Sequence, residues 1–82
     1  MVNILVAEDD RDHFLLLEEA IENTLPHYRI SQSRDGKELL QKIETQEAPD
    51  MIFLDLNLPK KHGLDCLIEI RKHKNLQTTP VV

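Results

Sequence analysis

The sequence predicts one small α/β domain organised around a parallel β-sheet. Four large apolar residues at 51–54 run without a charge and end at Asp55, and a similar run at residues 3–7 ends at Glu8. Runs this short and this apolar are typical of strands buried on both faces, as in parallel sheets. Between them lie segments with apolar residues at helical spacing. Residues 1–82 are therefore expected to form a single domain.

An acidic loop separates the first strand from the first helix. Residues 8–12 form this loop, and either Asp10 or Asp12 can cap the helix that follows. Helix one is expected over about residues 13–24, and Pro26 ends it. Its inward face is predicted to carry four apolar residues at helical spacing with two more beside them: Phe14, Leu17, Ile21 and Leu25, then Leu16 and Ala20.

The middle of the chain predicts an edge strand followed by a capped helix. Residues 28–33 are mostly polar, and a polar strand suits the edge of a sheet better than its centre. Asp35 stands at the N-cap position, and Glu38, three residues later, gives the pattern of a capping box. Helix two is expected to fray by Gln46 and to direct three apolar residues inward: Leu39, Leu40 and Ile43.

The third strand is predicted over residues 51–55. Pro59 and Gly63 follow it, so the strand must end and the backbone must turn. Asp55 is therefore expected at the carboxyl end of a central strand, where open α/β sheets bind their ligands. Taken alone, Asp55 could equally end a strand or cap the next helix.

The last part of the chain predicts a third helix and the beginning of a fourth strand. The helix is expected over about residues 64–74, with Cys66 as a small, partly buried member. Residues 75–79 are interpreted as a loop and residues 80–82 as the start of strand four. Three apolar residues of the helix are predicted to face the sheet: Leu64, Leu67 and Ile68.

Acidic residues follow both of the buried strands. Because parallel strands point the same way, Glu8, Asp9 and Asp55 are expected to share one crevice at the carboxyl edge of the sheet. Two like charges about 4 Å apart repel each other by roughly 4 kcal/mol at an effective dielectric constant near 20. Such a cluster requires a raised pKa or a cation. Oxygen ligands with room for water favour Mg²⁺.

Composition excludes several classes of function. The net charge of −5 argues against nucleic-acid binding through this segment, which would call for a basic patch. No apolar run approaches the roughly 20 residues of a membrane span, and the amino terminus lacks the basic region of a signal peptide. The single cysteine forms no intrachain disulfide. These features predict a cytoplasmic domain.

Taken together, these features resemble the receiver domain of two-component response regulators. The resemblance covers the whole chain, and residues 55–61 and 79–82 are similar to the small receivers that work with bacterial phytochrome kinases. It implies a flavodoxin-like fold with sheet order 2-1-3-4-5 and helices on both faces. The motifs that carry it occur in the family's order and spacing: Glu8-Asp9, Asp35-Gly36, Met51 to Asp55, Asn57, Pro59 and Gly63.

The resemblance also implies roles for the acidic residues. Asp55 would accept a phosphoryl group from a phosphohistidine of a sensor histidine kinase or a phosphotransfer protein. Asp9 and Asp55 would ligate Mg²⁺ directly, Glu8 would hold it through water, and Asn57 would offer its backbone carbonyl. Asp10 is interpreted as a loop or cap residue, with contact to the metal network as the alternative. The domain would act as a switch, not as a turnover enzyme.

Three departures from the family pattern affect this interpretation. Lys61 and His62 stand where many receivers carry Met and an Asp or Asn, at the mouth of the crevice. The chain ends inside the expected fourth strand, so the carboxyl-terminal part of the fold is expected to be missing. The Ser or Thr that ends strand four and the Lys that ends strand five in the family have no counterpart, since Thr78 and Thr79 precede strand four. A homodimer or a segment swap near residues 80–82 is the expected consequence.

Three alternatives compete with the phosphoacceptor interpretation. A phosphohydrolase that forms an aspartyl phosphate, like the haloacid dehalogenase group, needs a second acid where this chain has Asn57. An EF-hand loop over residues 8–12 lacks the central glycine and the terminal glutamate at their fixed offsets. The third alternative, that the chain is a fragment of a receiver and transmits no signal, stays open.

Overall fold

Within the described residues, three parallel strands and three α-helices alternate along the chain. The computed structural model describes residues 1–46, 48–59 and 62–82. The strands are β1 (Val2–Ala7), β2 (Tyr28–Ser33) and β3 (Met51–Leu54), and the helices are α1 (Arg11–Thr24), α2 (Gly36–Thr45) and α3 (Gly63–Lys72). The sheet order is β2-β1-β3, and both pairings are parallel. The predicted α/β class and the edge position of the polar strand are confirmed.

Two apolar clusters lie on opposite faces of the sheet because successive β1 side chains alternate in direction. On one face, Ile4 and Val6 pack with Ile21 of α1, and the predicted inward residues Phe14, Leu17 and Leu25 join this cluster. On the other face, Leu5 and Ala7 pack with buried residues of α2, β3 and α3: Leu39, Ile43, Ile52, Cys66 and Ile70. Helices therefore cover both faces, as predicted.

Helix α1 begins at Arg11, two residues earlier than predicted. Asp10 is its N-cap, and the Asp10 side chain accepts hydrogen bonds from the backbone N–H groups of the second and third helical residues. The prediction that Leu16 and Ala20 lie beside the buried stripe was wrong, since both are exposed. Each helical residue turns the side-chain direction by about 100°, so Leu16 points well away from its half-buried neighbour Leu17.

Helix α2 begins and ends where the sequence predicted. The Asp35 side chain is its N-cap and accepts a hydrogen bond of 2.8 Å from the Glu38 backbone N–H. Leu39 and Ile43 are buried, Leu40 is partly buried, and the helix stops before residue 46. Within the part of the chain that the structure describes, no helix has the length and apolar content needed to cross a membrane.

Helix α3 presents a different face to the sheet from the one that the sequence predicted. Leu64 and Ile68 were expected to face the sheet, but they are 54% and 50% exposed. Cys66 and Ile70 are fully buried instead, so the expectation of partial burial for Cys66 understated its packing. In this orientation the start of the helix at Gly63 lies close against the loop after β3.

A short 3₁₀ turn over Lys74–Leu76 follows α3, where the sequence predicted the end of the helix and a loop. Leu76 is 1% exposed and joins the cluster between the sheet and α3, so it is a core residue that the sequence analysis missed. The half-buried Arg71 donates hydrogen bonds to the carbonyls of Leu76 and Thr79, at 2.9 and 2.7 Å. This side chain ties the 3₁₀ turn and the following segment to α3.

The predicted start of the fourth strand lies next to β3. Val81 forms an isolated parallel bridge with Ile52. Three backbone hydrogen bonds of 2.9 Å support it: Ile52 N–H to the Pro80 carbonyl, Leu54 N–H to the Val82 carbonyl, and Val82 N–H to the Ile52 carbonyl. The order strand two, one, three and four therefore holds as far as the described residues extend.

Candidate functional site

The carboxyl ends of β1 and β3 bring two acidic residues side by side. Ala7 and Leu54 are register partners, so Glu8 and Asp55 leave the sheet at the same level. The Asp55 backbone N–H donates to the Ala7 carbonyl at 3.0 Å, and the Glu8 N–H donates to the Ser33 carbonyl at 2.9 Å. Hydrogen bonds to neighbouring strands therefore fix the backbone of both acidic residues.

Three carboxylates meet at this edge of the sheet. Glu8, Asp9 and Asp55 each offer an oxygen atom, and these atoms all lie within 4.8 Å of one another. Asp9 is exposed, whereas Glu8 and Asp55 are half-buried. The cluster opens into a depression of about 540 Å³, which five further residues of the described part of the chain line: Asp10, Arg11, Asp12, His13 and Asn57.

Burial raises the pKa of the Glu8 carboxyl group above its ordinary value of 4.5. A side-chain hydrogen bond with Asp55 and the negative charge of Asp55 raise this pKa further. The Asp10 backbone N–H, which lies 3.3 Å from Glu8 Oε2, and the nearby His13 act in the opposite direction. The net shift is upward, as expected for carboxylates that repel one another where solvent is partly excluded.

Asp10 caps helix α1 and lies outside the three-carboxylate cluster. Its Oδ1 atom accepts hydrogen bonds from the Asp12 and His13 backbone N–H groups, at 2.9 and 3.1 Å. The His13 N–H bond is the main cause of the lowered pKa of Asp10. The interpretation of Asp10 as a cap is confirmed, although its side chain also borders the depression.

Asn57 contacts Asp55 through its backbone. The Asn57 N–H donates to Asp55 Oδ1 at 2.9 Å, which closes a local turn and fixes the direction of the Asp55 carboxylate. Asn57 is exposed and lines the depression beside the three acids. A metal-binding role for its carbonyl oxygen stays a prediction.

His13 is a neighbour of the cluster that the sequence analysis did not single out. Its Nδ1 atom lies 3.6 Å from Glu8 Oε1 and 4.0 Å from Asp10 Oδ2, and its side chain is 67% exposed. The sequence did contain a signal for this position, because Asp10 is a candidate N-cap and His13 follows it by three residues. A residue three positions after an N-cap lies in the first turn of the helix, directly over the loop that precedes it.

His62 and Gly63, which follow the loop after β3, have structural roles. His62 is the N-cap of α3, and its Nδ1 atom accepts the Leu64 N–H at 3.2 Å. It does not line the depression beside the acids, and Lys61 lies outside the described residues. Gly63 is required because a Cβ atom at this position would fall 2.9 Å from the Asp55 carbonyl oxygen.

This arrangement suits a hard divalent cation and a carboxylate nucleophile. The cluster offers only oxygen donors, and its depression leaves space for water ligands. A bound cation would relieve the repulsion that raises the Glu8 pKa. An aspartate beside such a cation can form an acyl phosphate, because phosphoryl transfer depends mainly on positioning and charge neutralisation.

Comparison with known proteins gives a consistent result. The family model for the response regulator receiver domain matches residues 4–82. The probable methanogenesis regulatory protein FilR2 of Methanothrix harundinacea is 37% identical over 84 aligned residues, which cover 96% of this chain and 54% of FilR2. The response regulator Rcp1 of a Synechocystis strain is 33% identical, with 96% of this chain and 58% of Rcp1 covered.

Solved structures of receivers have the same fold. The Mn²⁺-bound form of Rcp1 superposes with a TM-score of 0.91 at 31% identity, covering 99% of this chain and 63% of that one. The phosphorylated cyanobacterial phytochrome response regulator RcpA gives 0.90 at 34% identity, covering 98% and 61%. The complex of the histidine kinase ThkA with the response regulator TrrA gives 0.81 at 31% identity, covering 99% and 66%.

The chain spans slightly more than half the length of these two curated relatives and about three fifths of the solved chains. The match nevertheless includes both strands that carry the acids and all three helices. The alternation of strands and helices in this chain, and the meeting of its acids at one edge of the sheet, were both expected from the sequence. This chain belongs to the response regulator receiver domain family.

Proposed function

We propose that this chain is the phosphoacceptor part of a two-component response regulator and that Asp55 takes the phosphoryl group. The observation that carries the proposal is the meeting of Glu8, Asp9 and Asp55 oxygens within 4.8 Å at the carboxyl edge of the sheet. The similarity to RcpA, whose structure is of a phosphorylated form, supports it. Modification of Asp55 would switch the interactions of this surface with partners or an output domain.

Asp55 is the proposed nucleophile because its carboxylate is directed into the depression by the Asn57 N–H bond. One Asp55 oxygen forms a bond to phosphorus while the phosphorus–nitrogen bond of a phosphohistidine breaks, and the imidazole leaves with the bonding electron pair. The product is an aspartyl phosphate on Asp55.

Glu8, Asp9 and Asp55 are the residues that would hold Mg²⁺. In this proposal Asp9 and Asp55 ligate directly, Glu8 acts through water, and Asn57 adds its backbone carbonyl. Mg²⁺ fits an all-oxygen set that leaves positions for water, and the Mn²⁺-bound form of Rcp1 supports a divalent cation. The cation supplies neutralisation of charge on the transferring phosphoryl group.

The residues of the site fit a signalling switch better than an enzyme that turns over a substrate. A phosphohydrolase that works through an aspartyl phosphate needs an acid two residues after the nucleophile to move a proton. This position is Asn57, whose amide side chain cannot act as a general acid near neutral pH. The aspartyl phosphate would therefore persist long enough to serve as a signal.

The proposed donor is a phosphohistidine on a sensor histidine kinase or a phosphotransfer protein. The ThkA–TrrA complex, in which a kinase holds a response regulator, supports this class of partner. We propose no nucleic-acid contact through this segment, whose net charge is −5. Because such kinases draw their phosphoryl group from ATP, the proposed setting is the cytoplasm.

We test the proposal with a small phosphodonor such as acetyl phosphate, with and without Mg²⁺. Intact-mass measurement should show one added phosphoryl group on the folded chain, and only when Mg²⁺ is present. Asp55→Asn should abolish the addition because the amide is not a nucleophile of comparable strength.

Asp65→Asn is the matched control for this test. Asp65 is an exposed aspartate in the first turn of α3 and does not line the depression, so its loss should leave labelling unchanged. Circular dichroism establishes that each variant is folded before labelling. Equal labelling of the wild-type chain and Asp55→Asn would refute Asp55 as the acceptor.

Self-association is a second proposal for the partner surface of the chain. Because the bonds to β3 use the backbone groups of Pro80 and Val82, the Val81 N–H and carbonyl point away from the sheet. An edge with unpaired backbone groups recruits other strands. We propose that residues 80–82 pair with a second copy of the chain.

A further inference from the structure

A second cavity lies at the opposite end of the sheet from the acidic cluster. It has a volume of about 300 Å³ and lies between the amino halves of β1 and β2 and the last turn of α2. This volume is at the lower end of the range for small-molecule sites. Among the described residues, eight line the cavity: Asn3, Ile4, Leu5, Arg29, Ser31, Lys42, Gln46 and Pro49.

The floor of this cavity is polar where the face of a sheet beneath a helix is usually apolar. Asn3 pairs in register with Arg29, and Leu5 pairs with Ser31. Alternation along both strands turns all four side chains to the same face, the one on which Leu5 joins the core beneath α2 and α3. Paired strands lie only about 4.8 Å apart, so these four groups form one compact surface.

The roof of the cavity is formed by Lys42, in the last turn of α2, and by Gln46, the C-cap residue of this helix. The Lys42 side chain is only 22% exposed, and its Nζ atom lies 3.3 Å from Glu38 Oε1. Lys42 also donates to Ser31 Oγ at 3.2 Å and to the Gln32 carbonyl. Its charge is therefore balanced by Glu38, and its donors are used to hold α2 against β2.

Arg29 is the cation whose donors remain available. Among the residues that the structure describes, its guanidinium makes no hydrogen bond or ion pair. None of the eight lining residues is acidic. Two acids of the adjoining segments make other contacts: Asp50 accepts the Asn3 N–H at 2.8 Å, and Glu38 pairs with Lys42. An arginine with free donors beside a concave surface is suited to a planar anion.

We propose that this cavity binds a small organic carboxylate. The carboxylate would contact the Arg29 guanidinium, with Asn3 and Ser31 supplying polar contacts on the floor. The hydrocarbon part would pack against Leu5 and Pro49. This site is separate from the acidic cluster and does not depend on phosphorylation of Asp55 or on a metal ion.

Benzoate is the probe for this site, since it joins a carboxylate to a compact apolar ring. Nuclear magnetic resonance of the ¹⁵N-labelled chain should show saturable shifts at the Arg29, Ser31 and Gln46 amides, with a Kd of about 1 mM. Arg29→Gln should weaken binding by about tenfold because a charge-assisted contact is lost. Benzyl alcohol, which lacks the charge, should leave these amides unshifted.

Arg34→Gln is the matched control, because Arg34 is an exposed arginine just after β2 that does not line the cavity. It should bind benzoate like the wild-type chain, and so should Asp55→Asn. Arg29→Lys keeps the positive charge and replaces Arg29→Gln as the test if the glutamine variant fails to fold. It should still bind benzoate, but more weakly than the wild-type chain. Non-saturating shifts, equal shifts with benzyl alcohol, or equal loss in Arg34→Gln would overturn the proposal.

Discussion

Gly63 at the start of α3 lies so close to Leu56 that a Cβ atom added to the glycine would fall 2.4 Å from Leu56 Cα. The Gly63 N–H also donates to the Leu56 carbonyl at 3.2 Å. Gly63→Ala should therefore push α3 away from the loop that carries Asp55. We expect the free energy of unfolding to fall by about 1–3 kcal/mol, as for other overpacked sites. Urea denaturation followed by circular dichroism measures this loss.

The matched control for Gly63→Ala is Asp65→Ala in the same helical turn. Asp65 is exposed, so its replacement should change the free energy of unfolding by no more than about 0.5 kcal/mol. If both variants unfold at the same urea concentration, the contact between Gly63 and Leu56 does not limit the packing of α3.

Glu8 should make the chain less stable at neutral pH than in mild acid. Its pKa is raised in the folded chain, so its contribution is favourable below the ordinary value of 4.5 and is lost as pH rises through the folded pKa. Without divalent cations, Glu8→Gln should therefore raise the melting temperature at pH 7. The difference from wild type should shrink as the pH falls toward 4.5. Glu19→Gln, at an exposed position of α1, is the matched control and should leave the melting temperature at pH 7 nearly unchanged.

Melting curves in pH 7 buffer with a chelator measure this effect directly. A Glu8→Gln chain that melts below wild type at pH 7 would contradict the prediction. It would mean that the ionised Glu8 carboxylate stabilises the fold through its contacts with the Asp10 N–H and His13.

Mg²⁺ should raise the melting temperature through Asp9 but not through Asp10. A ligand that binds only the folded state stabilises it by about 2.7 kcal/mol at 100 times its Kd. Asp9→Asn should remove most of this gain, because Asp9 contributes one of the three clustered oxygens. Asp10→Asn should keep it, because asparagine also caps helices well. A melting temperature that Mg²⁺ does not change in the folded wild-type chain would count against a preformed site.

Arg71 should stabilise the chain more than its neighbour Lys72 does. The Arg71 guanidinium donates to two carbonyls at 2.9 and 2.7 Å, and its removal leaves both without this donor. We expect Arg71→Ala to cost about 2 kcal/mol, since a bond to a charged donor contributes about 1.5–3 kcal/mol. Lys72 is exposed and lies 3.4 Å from Glu69 Oε1, so Lys72→Ala should cost less than about 0.5 kcal/mol. Equal losses in denaturation experiments would refute the tie between α3 and the 3₁₀ turn.

The position of the acids could be predicted because it depends only on the backbone. A buried apolar run identifies a strand, parallel pairing fixes its direction, and the residue after the run must then lie at one edge. Glu8, Asp9 and Asp55 follow directly from this rule. Side-chain neighbours such as His13 do not follow, because they depend on where the helix starts, and the predicted start of α1 was two residues late.

The orientation of α3 could not be predicted because its apolar residues surround the helix. Leu64 and Ile68 are as apolar as Cys66 and Ile70, so periodicity alone does not choose between the two faces. In the observed orientation Gly63 lies against the loop after β3, a backbone contact that apolar periodicity does not reveal. Leu76 was missed for a related reason, since a single apolar residue in a polar segment has no periodicity.

The 82-residue chain is expected to self-associate through the edge formed by residues 80–82. The outward N–H and carbonyl of Val81 offer a new strand its first hydrogen bonds. Sedimentation velocity at tens of micromolar should therefore show a dimer or a larger species. Val81→Pro should shift the chain to monomer, because proline removes the outward N–H while an edge position tolerates its ring. Val82→Pro, by contrast, removes the N–H bonded to Ile52 and should also lower the melting temperature. A wild-type monomer that melts cooperatively at these concentrations would show that the edge is harmless and that the described core is closed without a partner.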